Sequence, residues 1–146
     1  MSENDYTCFV ISPIGNRFGD NEEKSRFNEF KRVYEYLIMR SLRLAGFKQE
    51  NIIRSDVEIR AGKITDLIMG HLKNDDLCIA DLTGLNVNVM YEYGVRVGIG
   101  KPVIPIASHD TVLPFDVKDE RIVIYNMNNI EDVMACQEDL EARVKR

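Results

Sequence analysis

The chain has 146 residues, 45% hydrophobic and 29% charged, which is typical of one folded, soluble domain. Its net charge of −5 disfavours long nucleic acid as a partner, because duplex-binding domains usually carry a basic excess. No apolar stretch approaches the ~20 residues of a membrane helix, and the acidic start of the chain does not resemble a secretory signal. We therefore expect a single cytoplasmic domain over residues 1–146, with no membrane contact.

The first half of the chain predicts alternating strands and helices. Residues 7–11 predict a buried strand. The first helix is expected to begin near Asp20 and Glu23, which have capping-box spacing, and to end at Gly46. A short second strand is predicted at residues 51–55. The second amphipathic helix is predicted from the apolar stripe formed by Ile64, Leu67, Ile68 and Leu72.

The second half of the chain continues this alternation. The remaining elements are predicted, in order, as a strand at 77–80 that ends at Asp81, a helix at 88–99, strands at 102–107 and 121–125, and a helix from residue 130. Pro102 and Pro105 suit the ends of the fourth strand better than its interior, because proline cannot donate a hydrogen bond to a neighbouring strand.

The alternation predicts the fold class. Strands that alternate with helices and read as continuous apolar runs indicate a parallel sheet covered on both faces. We expect an α/β fold, a flavodoxin-like doubly wound five-stranded parallel sheet in the order 2-1-3-4-5, with helices on both faces. Ligands bind such sheets where the winding reverses, between strands 1 and 3 and beyond their carboxyl ends. The loops expected to meet there are residues 12–19 and residues 81–88.

Two carboxylates are candidates for chemistry at this crevice. Asp81 ends the third strand, where a functional role and a role as a turn residue or cap are equally good explanations. Glu92 lies near the start of the next helix, where the helix dipole favours an ionised carboxylate, as a nucleophile requires. A surface ion pair with Arg96, four residues on, explains Glu92 equally well. Position alone does not separate these interpretations.

The neighbours of Glu92 have ordinary structural explanations. Gly94 and Gly98 share a helix face and are expected to let the helix lie close to the sheet. Tyr91 and Tyr93 are two positions apart and therefore point to different sides of the helix. One of them is available to stack on a base, but packing explains both equally well.

Several common chemistries are disfavoured by missing motifs. The chain has neither the Gly-x-x-x-x-Gly-Lys phosphate loop nor the Gly-x-Gly-x-x-Gly fingerprint, which disfavours nucleoside triphosphate hydrolysis and hydride transfer. A phosphorylatable receiver domain needs acidic residues after strand 1, where this chain has Ser12, Pro13, Ile14 and Gly15. We expect reduced thiols, no metal and no cofactor, because metal-ligand spacing is absent among Cys8, Cys78, Cys136, His71 and His109.

Five blocks of the sequence carry a family resemblance. They are residues 8–15 (Cys-Phe-Val-Ile-Ser-Pro-Ile-Gly), 54–56 (Arg-Ser-Asp), 80–84 (Ala-Asp-Leu-Thr-Gly), 86–94 (Asn-Val-Asn-Val-Met-Tyr-Glu-Tyr-Gly) and 101–104 (Lys-Pro-Val-Ile). Together they resemble a family of bacterial proteins related to nucleoside 2-deoxyribosyltransferases and, more distantly, to TIR domains. The family usually has Asn-Pro-Asn where this chain has Asn-Val-Asn at residues 86–88, and Leu where it has Tyr93. Neither change removes a catalytic group.

The resemblance implies an enzyme that cleaves an N-glycosidic bond in a nucleoside or nucleotide, either as a hydrolase or as a (deoxy)ribosyltransferase. Glu92 would be the nucleophile at the anomeric carbon, and Asp81 would orient it or handle the proton of the leaving base. A homo-oligomer is also implied, because related transferases complete their sites with residues from neighbouring subunits. Substrate contacts are expected from Ser12, Pro13, Ile14, Gly15, Asp56, Gly84, Asn86, Asn88 and Tyr91.

Two other functions stay open at this point. The relationship to TIR domains implies an NAD-cleaving effector in bacterial antiphage defence as one alternative. A non-catalytic module that binds a nucleotide or assembles with partners is the other, although the presence of both Asp81 and Glu92 argues against it. In each case the expected ligand is a small molecule, namely a nucleoside, a nucleotide or NAD.

Overall fold

The computed structural model describes residues 3–13, 28–55, 64–113 and 122–145. In chain order its elements are β1 (Cys8–Ile11), α1 (residues 28–44), β2 (Ile52–Arg54), α2 (Ile64–Asn74), β3 (Leu77–Asp81), α3 (Val87–Ile99), β4 (Val103–Ser108), β5 (Val123–Tyr125) and α4 (Ile130–Val144). Within α1 a π-helical segment, Val33–Met39, precedes a last α-helical turn, Arg40–Leu44.

The five strands form one parallel sheet in the order β2-β1-β3-β4-β5. The flavodoxin-like α/β fold predicted from the sequence is therefore confirmed. The strand order reverses direction between β1 and β3, which are hydrogen-bonded neighbours with Ile11 opposite Ala80. This is the switch point at which doubly wound sheets bind ligands.

Different helices cover the two faces of the sheet. Successive strand residues point to opposite faces, so the central strands β1, β3 and β4 contribute to two separate cores. On one face α1 and α4 pack against the sheet in a cluster that includes Val10, Val33, Leu37, Ile79, Ile106, Tyr125 and Leu140. On the other face α2 and α3 pack in a cluster that includes Phe9, Ile11, Ile68, Leu72, Cys78, Ala80, Val89 and Tyr93.

The ends of α1 and α3 show how local sequence sets the helix limits. Gly46 follows α1 with a φ of 104°, a conformation that favours glycine, which confirms the predicted end of this helix. The predicted start at Asp20 and Glu23 lies outside the described residues. Asn86 caps α3, because its side chain accepts hydrogen bonds from the backbone N–H groups of residues 88 and 89. Gly100 ends α3 with a φ of 83°.

The expectation that the prolines avoid the interior of β4 is wrong for Pro105, which lies inside the strand opposite Ala80. The carbonyl oxygen of Ile106 accepts a hydrogen bond from the backbone N–H of Leu82, so residue 106 faces β3. Alternate residues of a parallel strand bond to opposite neighbours, so Pro105 faces the β5 side. The pairing of β5 begins one residue later, at Ile106 and Val123. Proline is tolerated there because its position precedes that pairing.

The two glycines of α3 were predicted to face the sheet, and this is also wrong. Gly94 and Gly98 are exposed, and a Cβ atom added to either would meet no other atom within 4 Å. The buried face of α3 is formed instead by Val89, Tyr93 and Arg96. Close helix packing therefore does not explain these glycines.

The three cysteines, Cys8, Cys78 and Cys136, are buried free thiols, as predicted. Burial raises the pKa of all three, and that of Cys78 to about 12. Within the described residues, no group of three or more His, Cys, Asp or Glu side chains is arranged to hold a metal ion. No helix in this part of the chain combines the length and apolar character needed to cross a bilayer.

Candidate functional site

The carboxyl edge of the sheet at the switch point lies between two helices. The chain leaves β1 towards α1, which covers one face, and it leaves β3 towards α3, which covers the other. The ends of β1 and β3 and the start of α3 therefore lie where doubly wound sheets bind ligands. Asp81 and Glu92 are the two carboxylates that the sequence predicts there.

Asp81 is buried, with only 1% of its surface exposed. Its Oδ1 accepts a hydrogen bond from the Thr83 backbone N–H (3.1 Å) and lies 2.6 Å from the Thr83 hydroxyl oxygen. Its Oδ2 lies 2.9 Å from the Tyr125 hydroxyl oxygen. Burial raises the pKa of Asp81, the bonds from Thr83 and Tyr125 oppose this, and the nearby charge of Glu29 adds to it. The carboxyl group is therefore fixed in place and withdrawn from solvent.

Thr83 links this carboxyl group to two further strands. Its hydroxyl oxygen accepts a hydrogen bond from the backbone N–H of Ser108 at the end of β4 (2.9 Å). The same oxygen lies 2.9 Å from the hydroxyl of Tyr125 at the end of β5. Thr83 also opens the 3₁₀ turn Thr83–Leu85, in which Gly84 has a φ of 71° and Leu85 a φ of 52°. The Asp81–Thr83–Tyr125 cluster thus anchors the turn that leads into α3.

Glu92 has a different environment from Asp81. With Asn86 as the N-cap, Glu92 is the sixth residue of α3 and lies in its second turn, beyond the first turn where the helix dipole acts most strongly. Its side chain is partly buried at the flank of the helix, and burial raises the pKa of Glu92 to about 7. Desolvation therefore opposes the ionisation that the helix dipole is expected to favour.

Arg96 is not the surface partner of Glu92 that helical spacing suggested. Its side chain is fully buried, with 0% exposed. The guanidinium donates two hydrogen bonds to the carbonyl oxygen of Pro102 (3.1 and 3.0 Å) and one to that of Leu72 (2.9 Å). Arg96 therefore ties α3 to the end of α2 and to the start of β4. Among the described residues, no hydrogen bond or ion pair to the Glu92 carboxylate is found.

The other candidate residues between β3 and the middle of α3 differ in how far they are exposed. Asn86 uses its side-chain oxygen to cap α3, whereas the Asn88 side chain is exposed. Tyr91 is 67% exposed and Tyr93 only 6%, so the prediction that they point to different sides is confirmed. Gly84 is exposed at the turn between β3 and α3.

The candidates after β1 are only partly described. Ser12 and Pro13 are buried at the end of β1. The Ser12 backbone N–H donates a hydrogen bond of 3.4 Å to the hydroxyl of Ser55, which is itself buried just after β2. Ile14, Gly15 and Asp56 lie outside the described residues.

Asp81 and Glu92 belong to opposite faces of the sheet. Asp81 alternates with Ile79 and contacts Tyr125, and both of these belong to the core under α1 and α4. Glu92 extends from α3, which covers the other face. No described hydrogen bond joins the two carboxyl groups, and each has its own set of neighbours.

Sequence reasoning missed three residues of this region: Thr83, Tyr125 and Glu29. Thr83 was noticed only as part of a motif, although a hydroxyl two residues after a strand-terminal Asp is a known signal for a local side-chain bond. Tyr125 is 44 residues from Asp81, so only the strand order brings them together. Glu29 lies one turn before the buried Val33 on α1, and its charge raises the pKa of both Asp81 and Tyr125.

Two cavities bounded by described residues lie away from Glu92. One of about 690 Å³ lies at the amino edge of the sheet, where Tyr6, Phe47 and Val103 are among the lining residues. Another of about 350 Å³ lies between β5 and α4, beside Tyr125 and Cys136. Neither is lined by Asp81 or Glu92, so neither is the crevice of the candidate site.

No protein-family model matches the chain, and a search of curated proteins finds no match. The function is therefore argued from the residues of the site and from the motif resemblance described above.

Proposed function

We propose that the protein cleaves the N-glycosidic bond of a nucleoside or nucleotide, with Glu92 as the nucleophile. The observation that carries the proposal is the state of Glu92, a partly buried carboxylate with no described counter-ion on α3, the helix that follows β3. A carboxylate that is already paired loses reactivity to its partner, whereas an unpaired one is available to a developing positive charge. The motif resemblance supports the same role.

The chemistry follows from the charge that the reaction develops. Breaking the C1′–N bond leaves its electron pair on the base and places positive charge on the sugar, which an adjacent carboxylate stabilises. In the first step a Glu92 oxygen bonds to C1′ while the C1′–N bond breaks and the departing base takes up a proton from solvent. In the second step water or another base attacks C1′ and releases a proton to solvent, while the ester bond breaks and the Glu92 carboxylate is restored. Hydrolysis and transfer differ only in the second acceptor.

Under this proposal Asp81 acts on the reaction through its neighbours. Its carboxyl group is buried and bonded to Thr83 and Tyr125, so it supports the turn before α3 and does not touch the sugar. The exposed Asn88 and Tyr91 stand on the same helix as Glu92 and are available to a substrate at the helix surface.

The test is a product assay with the full chain. Purified protein is incubated separately with nucleosides, (deoxy)nucleoside monophosphates and NAD, and the products are separated by chromatography. We expect free base to be released from a nucleoside or a nucleoside monophosphate. Release of nicotinamide from NAD as the main reaction would instead favour the NAD-cleaving alternative.

Variants of glutamate residues assign the nucleophile. We expect Glu92→Gln to abolish base release while the circular dichroism spectrum stays that of the folded protein, because an amide cannot form the glycosyl ester. Glu138→Gln, at an exposed position on α4, is the matched control and should retain the full rate. An unchanged rate in Glu92→Gln would contradict the assignment.

A further inference from the structure

The hydrogen-bond contacts around Asp81 outnumber the hydrogen atoms that are available to them when the carboxylate is ionised. Three oxygen–oxygen contacts join the side chains: Thr83 to Asp81 (2.6 Å), Tyr125 to Asp81 (2.9 Å) and Thr83 to Tyr125 (2.9 Å). Each hydroxyl carries one hydrogen, and an ionised carboxylate carries none. If both hydroxyls donate to Asp81, the contact between Thr83 and Tyr125 is left without a hydrogen.

A proton on Asp81 removes this shortage. With three hydrogens for three contacts, each group donates once to the next, and the ring closes in either direction around it. The remaining acceptor sites are also filled, because the Thr83 oxygen accepts from the Ser108 backbone N–H and Asp81 Oδ1 accepts from the Thr83 backbone N–H. No buried side-chain nitrogen or oxygen in the described residues lacks a hydrogen-bond partner.

We propose that Asp81 carries a proton at neutral pH and closes a three-membered ring of hydrogen bonds with Thr83 and Tyr125. The ring joins the ends of β3 and β5 to the turn Thr83–Leu85, from which α3 and Glu92 follow. It makes Asp81 a neutral positioning residue for this turn.

The charges around the ring favour the protonated form. Burial raises the pKa of Asp81, and Glu29 on α1, the charged group that acts on it within the described part of the chain, raises it further. The titratable neighbour on β5 is Tyr125, and the pKa of its hydroxyl is also raised by burial, so this hydroxyl keeps its proton. Bonds from Thr83 and Tyr125 act in the opposite direction, but the same two groups also hydrogen-bond to a protonated carboxyl.

The consequence for catalysis rests on the proposed function, whereas the proton count does not. A neutral Asp81 holds the turn before α3 without placing a second negative charge at the switch point. The ionisation that the reaction uses is then that of Glu92 alone. Two carboxyl groups in one site take different roles when their surroundings hold them in different protonation states.

Infrared difference spectroscopy of the folded protein tests the proton directly. We expect the wild-type spectrum minus that of Asp81→Asn to show, at pH 8, the lost carbonyl stretch of a protonated carboxyl. A lost carboxylate stretch would overturn the proposal. Tyr125→Phe should keep the band but shift it, because Asp81 then lacks one ring partner, and Tyr36→Phe, an exposed tyrosine on α1, should leave the band unchanged.

Urea unfolding gives a second readout that needs no activity. The Asn side chain keeps an acceptor oxygen and places an N–H donor, with one further N–H, where a protonated Asp places its O–H, so we expect the unfolding midpoint of Asp81→Asn to stay close to that of the wild type. Asp81→Ala should lower the midpoint clearly. If Asp81→Asn lowers it as much as Asp81→Ala, the ring is built on an ionised carboxylate and the proposal fails. Neither measurement depends on whether any nucleoside is cleaved.

Discussion

Asp81 and Glu92 are both withdrawn from water to some degree, yet they differ in what surrounds them. The Asp81 carboxyl group is bonded on both oxygens by residues from its own loop and from β5. The Glu92 carboxylate lies on the flank of α3 with no described partner. Burial raises the pKa of both groups. The difference teaches that desolvation alone does not define a reactive carboxylate, since hydrogen-bond partners decide whether the group is fixed in place or available to a substrate.

The largest expected effect concerns Arg96, whose hydrogen bonds go to backbone carbonyl groups and not to Glu92. We expect Arg96→Met to lower the free energy of unfolding by about 3 kcal/mol, because it removes three charged hydrogen bonds and leaves the carbonyl group of Leu72 without its side-chain donor. Urea unfolding measures the change. The control is Arg40→Met on the exposed side of α1, which should change the free energy by less than about 0.5 kcal/mol. Equal losses of stability in the two variants would mean that the hydrogen bonds of Arg96 stabilise the fold no more than a surface arginine does.

A smaller effect is expected on the stability of Glu92→Gln. Burial holds the pKa of Glu92 at about 7 in the folded protein, above the ordinary glutamate value of 4.5, so wild-type stability falls as pH rises between these values. Gln is not subject to this loss. After allowance for solvent screening, we expect the variant to be more stable than wild type by about 1 to 2 kcal/mol at pH 8, with little difference near pH 4. A pH-independent difference in urea unfolding would contradict this account.

The pH dependence of cleavage tests the same group through its reactivity. A nucleophilic Glu92 must be ionised, and with a pKa of about 7 the ionised fraction rises roughly tenfold from pH 6 to pH 8. We therefore expect kcat/KM for base release to increase about tenfold over this range. A rate that falls over the same range would indicate that Glu92 donates a proton instead.

The smallest effects distinguish a glycine that the fold requires from one that it does not. Gly84, with a φ of 71°, should lose about 1 kcal/mol of stability on substitution by alanine. Gly94 is exposed in the middle of α3 with open space around its Cα, so Gly94→Ala should gain about 0.5 to 1 kcal/mol. Thermal unfolding of the two variants measures both changes. Losses of equal size would mean that the exposed face of α3 is covered in solution.

The fold was predictable because its signals are periodic and local. Buried strands read as short apolar runs, the helices between them carry apolar stripes, and this alternation indicates a parallel sheet covered on both faces. The cap at Asn86 and the glycine at residue 46 marked helix limits through their own chemistry. Pro105 was misjudged because the neighbour that each residue of a strand faces depends on register.

The environment of each candidate residue was much less predictable. Helical spacing places Arg96 near Glu92, but it does not say whether an arginine turns towards solvent or towards the carbonyl groups of an adjacent loop. The glycines at 94 and 98 share a face in any helix, and only the packing of Val89 and Tyr93 shows that this face is the outer one. Tyr125 joins the Asp81 cluster through the pairing of three strands, which no local pattern encodes.

The three buried thiols have a consequence for how opening of the fold is observed. A thiol reacts with alkylating reagents as the thiolate, and burial keeps Cys8, Cys78 and Cys136 protonated as well as covered. Each thiol therefore becomes reactive only when the structure around it opens. Cys136 lies on α4, whereas Cys8 and Cys78 lie in adjacent central strands. The kinetics of alkylation at Cys136 thus report on detachment of the last helix, and those at Cys8 and Cys78 report on rupture of the sheet.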